Sequence, residues 1–267
     1  MVALSPLVEA YDGVILDLDG CVYVGDEATP GAPRAIEALR AAGTQVTFVT
    51  NDPRHATEDY VRKLWRLGVQ ASMGDVVTVG AALQHLLATT LSGRSAFVIG
   101  TDALRRHVID AGLRLADSRS NGARAEVVVV AGTDELSYDD LRQATLSVRA
   151  GAAFIGAGRD STYPMPDGLW PGSGAILAAV EYATDRRAEI VGKPEPALFA
   201  TALERMDAHR VLVVGDRLDA DVAAAERAGL DAALVLTGAT TRAESEAAEH
   251  AHPVTVADSL AHLVGVA

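Results

Sequence analysis

Two aspartates stand two positions apart at the end of an apolar run, in Val14-Ile15-Leu16-Asp17-Leu18-Asp19-Gly20. Side chains alternate along a strand, so Asp17 and Asp19 leave its carboxyl end on the same side while the chain stays extended. Two acids that close stay ionised together only beside a cation or another positive charge. Gly20 lets the backbone turn away directly after them. On this stretch alone, a strand followed by an ordinary acidic turn explains the pattern equally well. Three further stretches change the balance: Thr50-Asn51, Gly192-Lys193-Pro194, and Gly215-Asp216-Arg217-Leu218-Asp219-Ala220-Asp221. Together they offer several carboxylates, one ammonium and one hydroxyl, an oxygen-rich set that suits a hard cation such as Mg²⁺ and a substrate phosphate.

Such a set is useful only if the elements carrying it bring it together. The chain reads as strand, helix, strand, helix from Val14 to Gly68, the rhythm of a parallel α/β sheet. From about Asp75 the rhythm continues, with strands expected at 96–100, 127–130 and 153–156 and helices between them. The stretch from Arg159 to Gly168 reads as irregular, and a helix follows it from about Gly174 to Ala183. Ile190 to Pro194 reads as a short strand ending in Lys193, and Val211 to Val214 as a strand running into Gly215-Asp216. Ligands of open α/β sheets bind at the carboxyl ends of strands. Four such ends meet in one cleft if the first and last thirds form one sheet and the middle third folds as its own α/β unit.

Composition narrows the partners. Acidic residues outnumber basic ones by 36 to 23, a net charge of −13, which repels nucleic-acid backbones and anionic lipid. No apolar run approaches the ~20 residues that cross a bilayer. Met1 to Ala10 lacks the pattern of a secretory signal. A single cysteine, Cys21, excludes an internal disulfide framework and any CxxC metal site. The expectation is a cytoplasmic protein acting on a small phosphorylated metabolite, without nucleic acid or membrane as a partner; a homodimer is left open. No dinucleotide or P-loop glycine motif occurs.

Asp17-Leu18-Asp19-Gly20, Thr50-Asn51, Gly192-Lys193-Pro194 and Gly215 to Asp221, in that order, resemble the four motifs of the haloacid dehalogenase superfamily. The long insertion between the second and third motifs resembles the cap of its NagD-like, p-nitrophenylphosphatase branch (subfamily IIA). Asp160-Ser161-Thr162-Tyr163-Pro164, Gly168-Leu169-Trp170-Pro171-Gly172-Ser173-Gly174-Ala175 and Gly192-Lys193-Pro194-Glu195-Pro196 are similar to that branch as well.

The resemblance implies a Rossmann-like core with a mostly parallel sheet, residues 1–75 and 186–267, and an inserted α/β cap of the C2 type, residues 76–185, that selects substrate. It implies an Mg²⁺-dependent phosphatase acting on small phosphate monoesters through an aspartyl-phosphate. Asp17 would be the nucleophile, and Asp19 would donate a proton to the leaving alcohol and later take one from water. Thr50 and the backbone beside Asn51 would hold the phosphoryl oxygens, and Lys193 would balance charge between Asp17 and phosphate. Mg²⁺ would be held by Asp17, the carbonyl of Asp19 and Asp216, with Asp221 supporting that shell. Tyr163 falls where the family places a substrate-facing side chain, with a loop-anchoring core tyrosine as the other reading. Asp52 and Arg54, just after Thr50-Asn51, could meet the leaving group.

Three departures bear on substrate rather than chemistry. Cys21 replaces a usual threonine or valine, Asp52 a common asparagine, and Ala157-Gly158 a common Thr-Asn pair. Asp219 reads as a helix cap outside the metal set, Gly172-Ser173-Gly174 as a tight turn or an anion-receiving helix start, and His250 and His252 as surface residues. Two other readings stand beside the phosphatase: a phosphotransferase or phosphomutase of the same superfamily, and a non-catalytic phosphate-binding module such as a receiver domain. A receiver is about half this length.

Overall fold

The computed structural model describes residues 4–116, 124–165 and 168–267, with backbone alone across 163–169. In chain order the elements begin with β1 (Gly13–Asp17), a short ribbon of β2 (Tyr23–Val24) and β3 (Glu27–Ala28), α1 (Ala32–Ala41), β4 (Gln45–Thr50), α2 (Thr57–Arg66) and β5 (Val76–Thr78). Next come α3 (Val79–Thr90), β6 (Ser95–Ile99), α4 (Asp102–Asp110), β7 (Arg114–Leu115), β8 (Val127–Val130), α5 (Tyr138–Arg149) and β9 (Ala153–Gly156). They are followed by β10 (Thr162–Met165), β11 (Gly168–Pro171), α6 (Ser173–Thr184), β12 (Glu189–Ile190), α7 (Ala197–Glu204), β13 (Val211–Gly215) and α8 (Ala223–Ala228). The chain ends with β14 (Asp231–Val235), α9 (Arg242–Glu246), β15 (Thr255–Ala257) and α10 (Leu260–Val264).

These elements form two compact units. One contains residues 4–50, 57–77 and 193–267, and the other residues 51–56 and 78–192. The seams expected from sequence lay near 75 and 186.

The first unit is built on a six-stranded sheet in the order β15-β14-β13-β1-β4-β5. The pairs β1–β13, β1–β4, β13–β14 and β14–β15 are all parallel. Parallel strands carry helices on both faces, so they read as unbroken apolar runs rather than alternating ones. Every residue of β1 and of β13 is buried accordingly. Helix α1 covers one face with Ala32, Ala35, Ile36 and Leu39, the three- and four-residue spacing of a buried stripe. These pack with Val14, Leu16, Phe48, Leu212 and Val214 in one continuous core. From β1 the chain runs one way to β4 and β5 and later the other way through β13 to β15, so the strand order reverses between β1 and β13. Ligands bind beside such a reversal in open α/β sheets.

The second unit holds a five-stranded sheet in the order β12-β9-β8-β6-β7, every pair parallel. Its buried electrostatic feature was not read from sequence. Glu181, on α6 and 7% exposed, accepts hydrogen bonds from Arg159 Nη2 at 2.7 Å and Nη1 at 3.1 Å. Arg187 Nη1 at 2.8 Å and the backbone N–H of Ala188 at 2.9 Å complete the carboxylate's environment.

The structure differs from the sequence reading at three places. The stretch taken as irregular contains an antiparallel ribbon, with Thr162 opposite Pro171 and Tyr163 opposite Trp170. A two-stranded ribbon leaves one edge of each strand unpaired, so Pro164 is accommodated without losing a ladder bond. Pro166 and Asp167 lie outside the described residues. The strand expected to end in Lys193 stops at Ile190 and pairs with β9, so it belongs to the second sheet, and Lys193 follows it by three residues. The three-residue β5 and the two-residue β2, β3 and β7 were missed, since segments that short carry no periodicity.

The environment of Glu181 sets a pH dependence. The Arg159 guanidinium, helped by the Ala188 N–H and Arg187, outweighs burial and holds the carboxyl at about 2, below its ordinary 4.5. A depressed pKa contributes stability that is present above 4.5 and is lost as pH falls through about 2. We expect Glu181→Gln to cost on the order of 2 kcal/mol at neutral pH, with the deficit shrinking between the two values. Urea unfolding of both proteins across that range measures it. A deficit independent of pH would contradict the ion-pair account.

Candidate active site

Three strand ends of the first sheet lie side by side at one cluster. Asp17 is the last residue of β1, Thr50 the last of β4, and Asp216 follows β13 directly. In register, Asp17 stands opposite Val49 and Leu16 opposite Val214, which aligns these ends side by side. Asp221 arrives differently: after Asp216 the chain makes a π-helical turn, Leu218–Val222, in which the Val222 N–H reaches back to the Arg217 carbonyl at 3.2 Å. Wide turns of this kind often mark functional sites. Here the turn points Asp221 back toward the sheet, where its Oδ2 accepts from the Arg217 backbone N–H at 3.0 Å.

Lys193 lies between the acids. Its ammonium donates to Asp17 Oδ1 and, at 2.6 Å, to Asp221 Oδ1. All three side chains are buried, Lys193 being 4% exposed. Burial opposes the lysine's charge, but Asp17 and Asp221 outweigh it, so the ammonium is held protonated well above its ordinary range.

The carboxylates are less well served. Burial pushes the Asp17 carboxyl up against the pull of Lys193, and Asp221 and Asp216 push it further. Burial and the nearby Asp221 raise Asp216 to about 7, although the Ala239 N–H at 2.5 Å favours its ionised form. One oxygen each from Asp17, Asp216 and Asp221 lies within 4.8 Å of the others.

Three buried carboxylates against one lysine leave an excess of negative charge, and the donors are all oxygen. That is the chemistry a divalent hard cation satisfies, so the residues fit Mg²⁺. Asp17, Asp216 and Asp221 each offer one oxygen to such a group. Both oxygens of Asp221 already accept hydrogen bonds, from Lys193 and Arg217, which suits a supporting role.

The remaining expected residues are placed as follows. Asp19 is exposed, just past the carboxyl end of β1, and pairs with Tyr23 in an isolated bridge. Thr50 is buried at the end of β4. Asn51, Asp52 and Arg54 fall in the second unit. Asp52 and Arg54 pair with each other, Nε to Oδ1 at 2.8 Å and Nη2 to Oδ2 at 3.0 Å. Burial acts to raise the Asp52 carboxyl, but that guanidinium holds it below the ordinary range. Arg54 and Asp52 thus form a bidentate pair. Tyr163 sits in β10, opposite Trp170; its side chain lies outside the described residues. Asp219, exposed, pairs with the Arg217 guanidinium at 3.0 Å. The Gly172 and Gly174 N–H groups donate to the carbonyls of Ser161 and Asp160, so that helix start is occupied from within the chain. His250 and His252 are exposed. Cys21 is fully buried, and burial pushes its thiol up, so it packs as a small apolar group.

Sequence reasoning missed one part of the site, the loop after β14. Thr237 Oγ1 donates to the Gly20 carbonyl at 2.5 Å, and the Ala239 N–H reaches Asp216. A Cβ on Gly238, or on Gly20 with its φ of +86°, would run into the Asp216 carboxylate. The available signal was Thr237-Gly238 just past the end of β14, a position where glycine permits close approach.

Residues 14–114 match the family described as haloacid dehalogenase-like hydrolase, and residues 190–263 match one described as HAD-hydrolase-like. The chain is 36% identical over 247 residues to the D-glycerol 3-phosphate phosphatase of Mycobacterium tuberculosis, covering 92% of this chain and 69% of that one. The crystal structure of the glycerol phosphate phosphatase from that organism, in complex with magnesium, superimposes with a TM-score of 0.88 over 97% of this chain and 78% of the other. The 4-nitrophenylphosphatase of Thermotoga maritima is 31% identical, with a TM-score of 0.89 over 98% of this chain and 99% of that one. NagD from E. coli is 28% identical, with a TM-score of 0.83 over 94% and 97%. The chain belongs to the haloacid dehalogenase-like hydrolases. Among the described residues no helix is long and apolar enough to cross a membrane.

A cation that offsets the buried acids stabilises the folded chain by mass action. We expect Mg²⁺ to raise the melting temperature of the wild type and EDTA to reverse the rise. Asp216→Ala should weaken the apparent Mg²⁺ affinity at least about tenfold, and Asp221→Ala should weaken it less, as expected of an outer ligand. An unchanged Mg²⁺-dependent shift in Asp216→Ala would exclude Asp216 from the metal set.

Proposed function

We propose that the chain hydrolyses small phosphate monoesters in two steps, with Mg²⁺ as cofactor and Asp17 as the nucleophile. The observation that carries this reading is the buried Asp17–Lys193–Asp221 array beside Asp216 at the reversal of the sheet. Phosphoryl transfer requires positioning and charge neutralisation more than covalent machinery, and this array supplies both. Membership in a hydrolase family with phosphatase relatives supports it.

An Asp17 carboxylate oxygen attacks phosphorus, and the bond to the ester oxygen breaks. The Asp19 carboxyl gives its proton to the departing alkoxide, so the alcohol leaves neutral. In the second step water attacks the phosphorus of the aspartyl-phosphate while Asp19 takes the proton. The acyl–phosphate P–O bond breaks, restoring Asp17 and releasing inorganic phosphate. Exposure suits Asp19 for this exchange, and burial suits Asp17 for holding a fixed line of attack. Lys193 keeps Asp17 ionised and aimed, Thr50 and the Asn51 backbone hold phosphoryl oxygens, and Lys193 adds a charge to them. Asp17, Asp216 and the Asp19 carbonyl, with Asp221 behind, would hold Mg²⁺, which would supply charge neutralisation to the phosphoryl group and the acids.

The first unit, carrying this chemistry, serves as the catalytic core, and the second serves as the cap. The core's reaction is common to all phosphate esters, so substrate choice rests with Asp52, Arg54 and Tyr163. Because Asp52 and Arg54 form one bidentate pair, the two should act together: Asp52→Asn alters selectivity partly by breaking that pair.

We expect Asp17→Asn to lower turnover of p-nitrophenyl phosphate by at least about 10³-fold while keeping the fold, because an amide is a poor nucleophile. Phosphate release with Mg²⁺ and circular dichroism of the variant check this. Appreciable turnover would remove Asp17 from the role.

A further inference from the structure

Inside the second unit, three separate segments meet at the side chain of Asn51. Its Nδ2 donates to Asp160 Oδ2 at 3.2 Å, a contact between residues 109 positions apart. The opposite side of the amide lies against backbone: a Cβ on Gly192 would stand 2.5 Å from Asn51 Oδ1 and 3.1 Å from its Cγ. The space around the pair depends on Gly158, where a Cβ would lie 3.0 Å from Asp160 Oδ2 and 3.4 Å from Asn51 Nδ2. Glycine at 158 leaves that room open.

Asp160 is a rigid partner. Its carbonyl accepts from the Gly174 N–H at 2.9 Å, and the next carbonyl, of Ser161, accepts from Gly172 at 2.8 Å. The residue before it, Arg159, is held by the buried Glu181. The same loop also takes hold of Gly192, whose N–H donates to the Ala157 carbonyl at 2.8 Å. Asn51 directly follows Thr50, and Gly192 directly precedes Lys193. The loop 157–160 therefore grips the chain next to both residues that the proposed reaction needs for phosphate.

We propose that Asp160 is a positioning residue for phosphate: by holding the Asn51 amide it fixes the backbone at Thr50-Asn51. This rests on the reading that Thr50 and the Asn51 backbone bind phosphoryl oxygens. A backbone donor acts at full strength only when its direction is set before the substrate arrives, and small displacements there are costly. Asp160 reaches no reacting atom in this role. Its effect falls on the phosphoryl group shared by all substrates and is independent of the leaving alcohol, unlike that of a residue facing the alcohol.

The test uses the full chain with Mg²⁺, inorganic phosphate as inhibitor, and two esters with unrelated alcohols, p-nitrophenyl phosphate and glycerol phosphate. Asp160→Ala should raise the inhibition constant of phosphate about five- to twenty-fold and lower kcat/KM by a similar factor on both esters. The Mg²⁺ dependence should stay within about twofold of wild type. Asp160→Asn, which keeps an acceptor oxygen, should recover most of the loss. In an Asn51→Ala background, Asp160→Ala should add less than about twofold, because the two residues act through one bond. Gly158→Ala, a milder change that crowds the pair, should raise the phosphate constant by a smaller factor and keeps the test available if Asp160→Ala fails to fold. An unchanged phosphate constant in a folded Asp160→Ala or Gly158→Ala variant, losses that multiply in the double variant, or losses that differ between the esters would overturn the proposal. A wild type that binds no phosphate and hydrolyses neither ester would overturn the hydrolase reading beneath it, a result distinct from any of these.

Discussion

A buried ammonium held between two buried carboxylates is the constraint around which the first unit is arranged. Taking Lys193, Asp17 and Asp221 out of water is costly for each, and removing Lys193 takes the shared cation from both acids. Such a cluster persists only where the surrounding backbone determines its geometry. Three parallel strand ends and a π-helical turn do so here, and the loop after β14 closes on Asp216 from the remaining side. The arrangement is also incomplete in charge, since a third acid, Asp216, is buried beside a single lysine. The deficit makes the cluster a receptor for a divalent cation and for the phosphoryl group that such a cation accompanies.

The topology explains why these residues, far apart in sequence, meet. The chain leaves β1 in one direction across the sheet and returns on its other side. The carboxyl ends of β1, β4 and β13 then flank the reversal and carry the Asp17 carboxylate, the Thr50 hydroxyl and the Asp216 carboxylate. Lys193 comes from no strand of this sheet. It enters from the segment that ends β12 in the second unit, so its placement depends on the path of the connection.

Much of this was legible because parallel strands advertise themselves as apolar runs ending in polar residues. Asp17, Thr50 and Asp216 were found that way, and with Gly192-Lys193-Pro194 and the long insertion their order pointed to the family. The missed features share a physical cause: they depend on contacts that periodicity does not encode. Gly238 and Ala239 matter through their backbone's approach to Asp216, and Glu181 through two arginines that fold onto it. The ribbon at Thr162–Pro171 was hidden by its own prolines, which argue against strand in a sheet interior but not in a ribbon with open edges. The strand at Ile190 was expected to carry Lys193 into the first sheet, because a short apolar run does not declare which sheet it joins. The pairing of Arg54 with Asp52 was equally invisible, although the two stand only two residues apart.

The central claim is that Asp17 becomes covalently bonded to phosphorus during turnover. Acid quenching of the enzyme during steady-state hydrolysis, followed by borohydride reduction and peptide mass analysis, tests it most directly. An acyl phosphate on a carboxylate side chain is reduced to the alcohol, which converts the aspartate concerned to homoserine. The account predicts homoserine at position 17 alone, dependent on substrate and Mg²⁺. Homoserine at another position, or sustained turnover with Asp17 unmodified throughout, would contradict it.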